Sequence, residues 1–373
     1  MLLRDSREFL QRLPAGWPRL NHYFCCQAHP QKGESMKKVV IEGERKAIVI
    51  DAPDPVPRQD WVVVEVKAAP MCTEYKGFVS GNANTSLGHE ASGVVAAVAQ
   101  PGRVQVGDRV AVMPQYPCGS CQLCVSGEYI HCESVVDFAD FTQGGEGRAT
   151  MAQYLLKPDW LLPRIPQDVS FEHGAMACCG LGPSFGAFER MGVDAFKTVL
   201  ITGLGPVGLG AVINARYRGA RVLAVDSHPW RAARAAELGA HEVLDPEAGA
   251  LDRLRELTEG RGVDCALDCS GAVAAHRLCI DATRRRGKVA FVGECGDDTP
   301  LRVSPDMIRK GLTLMGSWHY NLGLMQGIWQ VVRNSGDALD RLISHTYPMT
   351  RAQEAFELQA TGACAKVVLD PWS

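Results

Sequence analysis

The stretch from Lys197 to Asp226 leaves a chain few ways to fold. Lys197-Thr198-Val199-Leu200-Ile201-Thr202 is an apolar strand, Gly203-Leu204-Gly205-Pro206-Val207-Gly208 is a glycine-rich turn, and Leu209 to Arg218 has the small and apolar residues of a packed helix. A strand that is apolar on both faces belongs inside a parallel sheet covered by helices. The alternation continues through a strand at Arg221–Asp226, a helix at Trp230–Leu238, and strands at Val263–Asp268 and Lys288–Val292. The expectation is an α/β, doubly wound parallel sheet over residues 186–321, ending near Thr313–Gly316. Within the turn, Gly203 permits the tight bend, Gly205 lets backbone approach a pyrophosphate, and Gly208 permits close helix–strand packing. Pro206 and Val207 belong to the same turn, and the free amides at the helix start suit a phosphate. Asp226 ends the next strand, where its carboxylate suits ribose hydroxyls and repels a 2′-phosphate, so NAD is favoured over NADP. Arg231 softens that preference if it swings over the ribose. A flavin uses the same fingerprint, and a tight turn that binds nothing is the bland alternative.

A second constraint is covalent. Cys118, Cys121, Cys124 and Cys132 stand at C-x2-C-x2-C-x7-C spacing. Four thiolates suit one tetrahedral zinc in a closed, structural site, with an iron–sulfur cluster as the competitor. Residues 115–135 have little apolar periodicity, and a metal is one way such an insertion orders itself. Cys72 in Met71-Cys72-Thr73-Glu74, His89 in Gly88-His89-Glu90, and the pair Cys178-Cys179 lie outside that cluster. A Cys/His/Cys set with an open position is a catalytic zinc shell; buried cysteines and a lone histidine are the ordinary alternative.

The first part of the chain has a different texture. Short β-type runs at Val39–Ile41, Ala47–Ile50, Trp61–Val66, Gly93–Val98 and Asp108–Val112 are separated by turns, as in an antiparallel barrel or sandwich-like domain, with the cysteine insertion following that sheet. Residues 1–35 carry mixed charge and three prolines, and the fold is expected to open at Met36. That leader is expected to be a disordered extension or a start-site artefact, with a packing arm as the alternative. After the parallel sheet, Leu322–Arg333 and Arg351–Thr361 are expected helices and Ala365–Asp370 a closing strand. The 373 residues suffice for two domains. With 39 basic against 42 acidic residues and a formal charge of -3, the chain has no general nucleic-acid or membrane surface. No apolar run reaches membrane-spanning length. Fourteen cysteines without a secretory leader point to a reducing, cytoplasmic setting.

Together, Gly88-His89-Glu90, Gly107-Asp108-Arg109-Val110, the four-cysteine lobe and Gly203–Gly208 resemble the zinc-containing medium-chain alcohol and polyol dehydrogenases, including sorbitol and threonine dehydrogenase relatives. The resemblance covers about residues 36–373. It implies a barrel-like, GroES-like catalytic domain over 36–185 and 322–373, with an NAD-binding Rossmann domain inserted at 186–321. It also implies two zinc ions per subunit and pairing into homodimers or homotetramers. His89 matches the histidine ligand of the catalytic zinc, Glu90 the acid beside it, and Cys179 the third ligand position, with Cys178 a packed thiol. Cys118, Cys121, Cys124 and Cys132 match the structural zinc ligands. The family usually places one residue between its cysteine and Thr/Ser, whereas Thr73 follows Cys72 directly. Either Cys72 is a ligand with one residue missing, or Met71 stands at the ligand position. Thr73 matches the proton-relay hydroxyl. Lys76 replaces a histidine that often passes the proton to solvent, and either grips coenzyme phosphate or is merely exposed. Trp318-His319-Tyr320 approaches a substrate cleft or an interface, or packs between domains. Arg284-Arg285-Arg286 is expected to be a solvated helix end and His345 to be structural.

The implied reaction is reversible hydride transfer between a secondary alcohol or polyol and NAD, giving a ketone. Two rivals are a zinc-dependent NADPH aldehyde or enone reductase and a non-catalytic, dinucleotide-sensing zinc protein.

Overall fold

The computed structural model describes residues 35–373, so the expected leader lies, apart from Ser35, outside the described residues. Fourteen strands occur among the described residues. They are β1 (Ser35–Gly43), β2 (Lys46–Pro53), β3 (Trp61–Met71), β4 (Ala91–Ala97), β5 (Arg109–Val112), β6 (Tyr154–Pro158) and β7 (Thr198–Thr202), then β8 (Arg221–Val225), β9 (Glu242–Leu244), β10 (Val263–Asp268), β11 (Thr283–Phe291), β12 (Thr313–Gly316), β13 (Ile343–Pro348) and β14 (Lys366–Asp370).

Six of them form one parallel sheet in the order β12-β11-β10-β7-β8-β9. Every residue of β10 is buried, as expected for a central strand with helices on both faces. Read from β9, the strands run third, second, first, fourth, fifth, sixth. The order therefore reverses between β7 and β10, the place where open α/β sheets bind ligands. The helix after β7 is Pro206–Tyr217, starting earlier than the apolar run suggested. Proline fits the first helical position because its missing N–H has no partner there.

The second six-stranded body is built on β3, eleven residues buried along nearly its whole length. β4 pairs antiparallel along one edge; β6 pairs with Trp61–Glu65, and β14 pairs antiparallel with Ala69–Met71. The C-terminal segment thus returns to the first sheet, with β13 parallel outside it. Three details differ from expectation. The cysteine lobe sits between β5 and β6, inside the strand sequence of this sheet and not after it. Arg284–Arg286 opens β11 instead of ending a helix, and Arg284 Nε donates to Asp264 Oδ1 at 2.6 Å. Leu322–Leu324 is a single 3₁₀ turn, and the helix proper is Met325–Asn334. Among the described residues, no helix is long and apolar enough to cross a membrane.

Candidate active site and metal centres

The four lobe cysteines converge as their spacing suggests. Their sulfurs lie within 4.8 Å of one another, with Cys118 and Cys132 3.6 Å apart. Gly119, at φ +72°, bends the chain so that amides point at sulfur. Cys118 Sγ accepts from Ser120 N at 3.4 Å and Cys121 N at 3.2 Å, and Cys132 Sγ accepts from Ser134 N at 3.4 Å. The Ser120 amide is foremost in holding the Cys118 thiol down at about 6. Four sulfurs supported by amide donors fit a closed tetrahedral zinc site.

A second cluster forms where β3, the turn before β4 and the turn before helix Gly182–Met191 meet. Cys72, His89, Glu90 and Cys179 place their ligand atoms within 4.8 Å of one another, and Cys72 Sγ lies 3.6 Å from Cys179 Sγ. Met71 ends β3, and Cys72 is the first residue beyond it. Met71 points into the apolar core with Val66 and Val367, whereas Cys72 points at Cys179. Gly88, at φ +89°, turns the chain into His89 where any Cβ would strike Thr150 Oγ1 at 2.2 Å.

Glu74 orients the histidine. Its Oε1 accepts from His89 Nδ1 at 2.8 Å and its Oε2 accepts from Cys72 N at 2.8 Å, so one carboxylate braces both candidate ligands. A carboxylate accepts only, so Nδ1 carries the proton and Nε2 is left to face the cluster. Burial alone raises the Glu74 carboxyl, yet the His89 hydrogen bond and charge outweigh it and hold it at about 2. Burial likewise opposes charge on His89, but Cys72 and Glu74 push its pKa well above the ordinary value. The Cys72 thiol is held well below its ordinary value, chiefly by the hydrogen bond from Cys179. The sulfur and nitrogen donors that converge here fit a zinc ion.

Glu90 is fully buried and ion-paired to Lys366 Nζ, which also donates to Met71 O at 3.3 Å. Glu90 Oε2 accepts from Cys179 N at 3.3 Å. Burial is the main reason its carboxyl rises to about 7 despite that lysine. Gln359 Nε2 donates to Cys72 O at 3.4 Å. Sequence reasoning missed the roles of Glu74, Lys366 and Gln359. A lysine inside the apolar run Ala365–Leu369 was the available signal for Lys366, because a buried lysine needs a partner.

The coenzyme turn is as its glycines require. At Gly208 a Cβ would lie 1.8 Å from Gly203 O, and at Gly203, φ +80°, it would strike Ser270. At Gly205 it would meet nothing within 4 Å, so backbone there faces open space. A cleft of about 750 Å³ opens at the reversal between β7 and β10. Gly203, Gly205, Pro206, Val207, Asp226 and Arg231 line one side, and Cys72, Thr73 and Lys76 the other. Val207 also packs against Cys72, Cys178 and Cys179, so the turn and the second metal cluster touch. Asp226 accepts from Leu204 N at 2.6 Å and His228 N at 2.7 Å, which locks its carboxylate at the cleft edge. Arg231 Nε donates to Gly362 O at 2.9 Å, tying it to the C-terminal segment. The backbone opening at Gly205 and the fixed carboxylate fit a dinucleotide.

Trp318-His319-Tyr320 does not line this cleft. Trp318 is half-exposed against the His131 ring, Tyr320 donates to Ala177 O at 2.6 Å, and His319 is buried with Nε2 3.7 Å from Cys178 Sγ. His345 lies on β13, bonded to Ser344 Oγ, away from both clusters.

Residues 58–167 match the alcohol dehydrogenase GroES-like domain and residues 206–334 the zinc-binding dehydrogenase domain. The chain is 34% identical over 321 residues to the uncharacterized zinc-type alcohol dehydrogenase-like protein YphC of Escherichia coli, covering 81% of this chain and 84% of that one. It belongs to the zinc-type medium-chain dehydrogenase family. This dehydrogenase is also 30% identical to a sorbitol dehydrogenase of Bacillus subtilis, over 91% and 98% of the two chains. Its fold overlays an alcohol dehydrogenase of Thermus sp. ATN1 with a TM-score of 0.82 at 27% identity, covering 90% and 99%.

Proposed function

We propose that the chain oxidises a secondary alcohol or polyol to a ketone with NAD, reversibly, at the cleft shared by Cys72 and Gly205. The observation that carries this is the packing of Val207, in the coenzyme turn, against the buried cluster of Cys72, Cys178 and Cys179. That contact brings the hydride acceptor and the second metal cluster to one place, as hydride transfer requires. Cys72, His89 and Cys179 hold the catalytic zinc, with Glu90 beside them; Cys118, Cys121, Cys124 and Cys132 hold the structural one. When bound, the metal supplies Lewis-acid polarisation of the substrate oxygen and the coenzyme accepts hydride.

The protein's own groups do the rest. Glu74 fixes the His89 ring, and Lys366 keeps Glu90 compensated. Thr73 Oγ1 relays the hydroxyl proton, accepting it while passing its own to water at the open side of the cleft. Asp226 receives the adenosine ribose hydroxyls and Arg231 stands beside it. Trp318-His319-Tyr320 serves as packing between the two halves of the chain. The catalytic part comprises 36–185 and 322–373 and the coenzyme part 186–321. The chain works in the cytoplasm as a homodimer or homotetramer, without nucleic acid or membrane.

A coenzyme-reduction screen of alcohols and polyols, on protein of measured zinc content, tests this reading. Cys179→Ala is expected to lose one metal equivalent per chain and at least about 100-fold in kcat/KM, since the metal contributes several kcal/mol to the barrier. Full turnover with the metal count unchanged overturns the shell. Equal affinity for NAD and NADP overturns the role of Asp226.

A further inference from the structure

We propose that Lys76 is the cation that grips the coenzyme's diphosphate from the wall opposite the glycine turn. This rests on reading the cleft as an NAD site, and adds a residue of the other half of the chain to it.

Three basic side chains line the cleft: Lys76, Arg231 and Arg277. One is charge-matched and one is anchored to backbone. Arg277 is forked onto Asp281 at 2.6 Å and Asp306 at 2.8 Å, so its charge is already matched. Arg231 Nε donates to Gly362 O at 2.9 Å, which anchors its guanidinium to the C-terminal segment without matching its charge. Lys76 is exposed, and its ammonium has no ion pair or hydrogen bond among the described residues. Its backbone N donates to Thr73 O at 3.0 Å, closing a turn that presents Thr73 and Lys76 on the same wall. Because Val207 packs against the cluster that contains Cys72, the wall bearing Lys76 and the turn bearing Gly205 converge at the metal end.

A diphosphate brings negative charge into a cleft already lined by Asp226, Asp252 and Asp281. The turn meets it with backbone dipoles, and Lys76 is the untethered countercharge. A lysine acts there as a mobile point charge, able to follow either phosphate. A coenzyme held this way touches both walls at once, which sets its nicotinamide end against the metal cluster.

Binding of NADH, ADP-ribose and adenosine to wild type, Lys76→Met and Lys76→Arg tests the assignment by calorimetry. Lys76→Met is expected to weaken NADH and ADP-ribose alike, roughly tenfold or more, with adenosine unchanged, because a charge-assisted bond to phosphate is lost. Lys76→Arg is expected to stay within a few fold of wild type. The salt dependence of NADH binding should be shallower for Lys76→Met than for wild type. Unchanged NADH and ADP-ribose affinity in Lys76→Met overturns the proposal, and so does an equal loss for adenosine. Unchanged affinity with a displaced pH–rate profile also overturns it, placing Lys76 in the proton path. A wild-type protein that binds none of the three ligands overturns the functional reading together with this one.

Discussion

His319 sits at φ +56° with its ring stacked on Tyr320 and its Nδ1 buried without a partner. Burial, and then the charge on His89, depress its pKa from 6.5 to about 3. In the folded chain the ring is therefore neutral, while the unfolded chain takes up a proton below pH 6.5. The stability tied to this ring is present above pH 6.5 and is lost as pH falls from there toward 3. The slope is about 1.4 kcal/mol per pH unit for one proton. His319→Asn, which tolerates the left-handed backbone, is expected to flatten the fall in melting temperature between pH 6.5 and 4. An unchanged slope in a scanning-calorimetry series would mean that another group carries it. Cys72 shows the same sensitivity to a single position. One step past the end of β3 separates the core side chain of Met71 from one facing Cys179.

Helix Pro206–Tyr217 serves two neighbours. Its first turn faces the cleft, and its second packs so closely on the Cys179-bearing turn that a Cβ at Gly210 would lie 1.9 Å from Gly180 O. Two substitutions separate these duties. Gly210→Ala is expected to destabilise by about 3 kcal/mol, the scale of overpacking, and to lower metal content at the Cys72 cluster. Gly205→Ala meets no atom within 4 Å and has ordinary backbone angles, φ -65° and ψ -174°, so its melting temperature should hold. Its NADH dissociation constant should rise, because the new methyl projects toward the diphosphate. Thermal melts alongside NADH titrations decide between these outcomes. A Gly210→Ala protein as stable as wild type would refute the close packing.

For the whole molecule, β14 is the closure. Val367, Val368 and Leu369 are buried, and Lys366 balances Glu90 across the sheet. Each apolar side chain contributes about 1.5–3 kcal/mol on burial, and an unpartnered buried carboxylate costs about 3–5 kcal/mol. Their sum rivals the entire stability of a typical fold, about 5–15 kcal/mol. A chain ending at Cys364 is therefore expected to lose its cooperative melt and the metal of the Cys72 cluster. A sharp near-UV melt with full zinc content would show that the sheet built on β3 holds its shape without β14.

The sequence by itself determined what is encoded between near neighbours. The strand–turn–helix at Thr198–Tyr217 and the lobe at Cys118–Cys132 were legible because their parts lie within a few turns of chain. Their chemistry also follows from residue type and spacing. Tertiary structure decided everything that depends on partners distant in sequence. The partner of Glu90 is Lys366, the brace of His89 is Glu74, and β3 is completed by β14 after the whole parallel sheet has intervened. Periodicity tells which face of a strand is buried, not which strand will cover it. Which of Met71 and Cys72 faces Cys179 therefore had to wait for the fold.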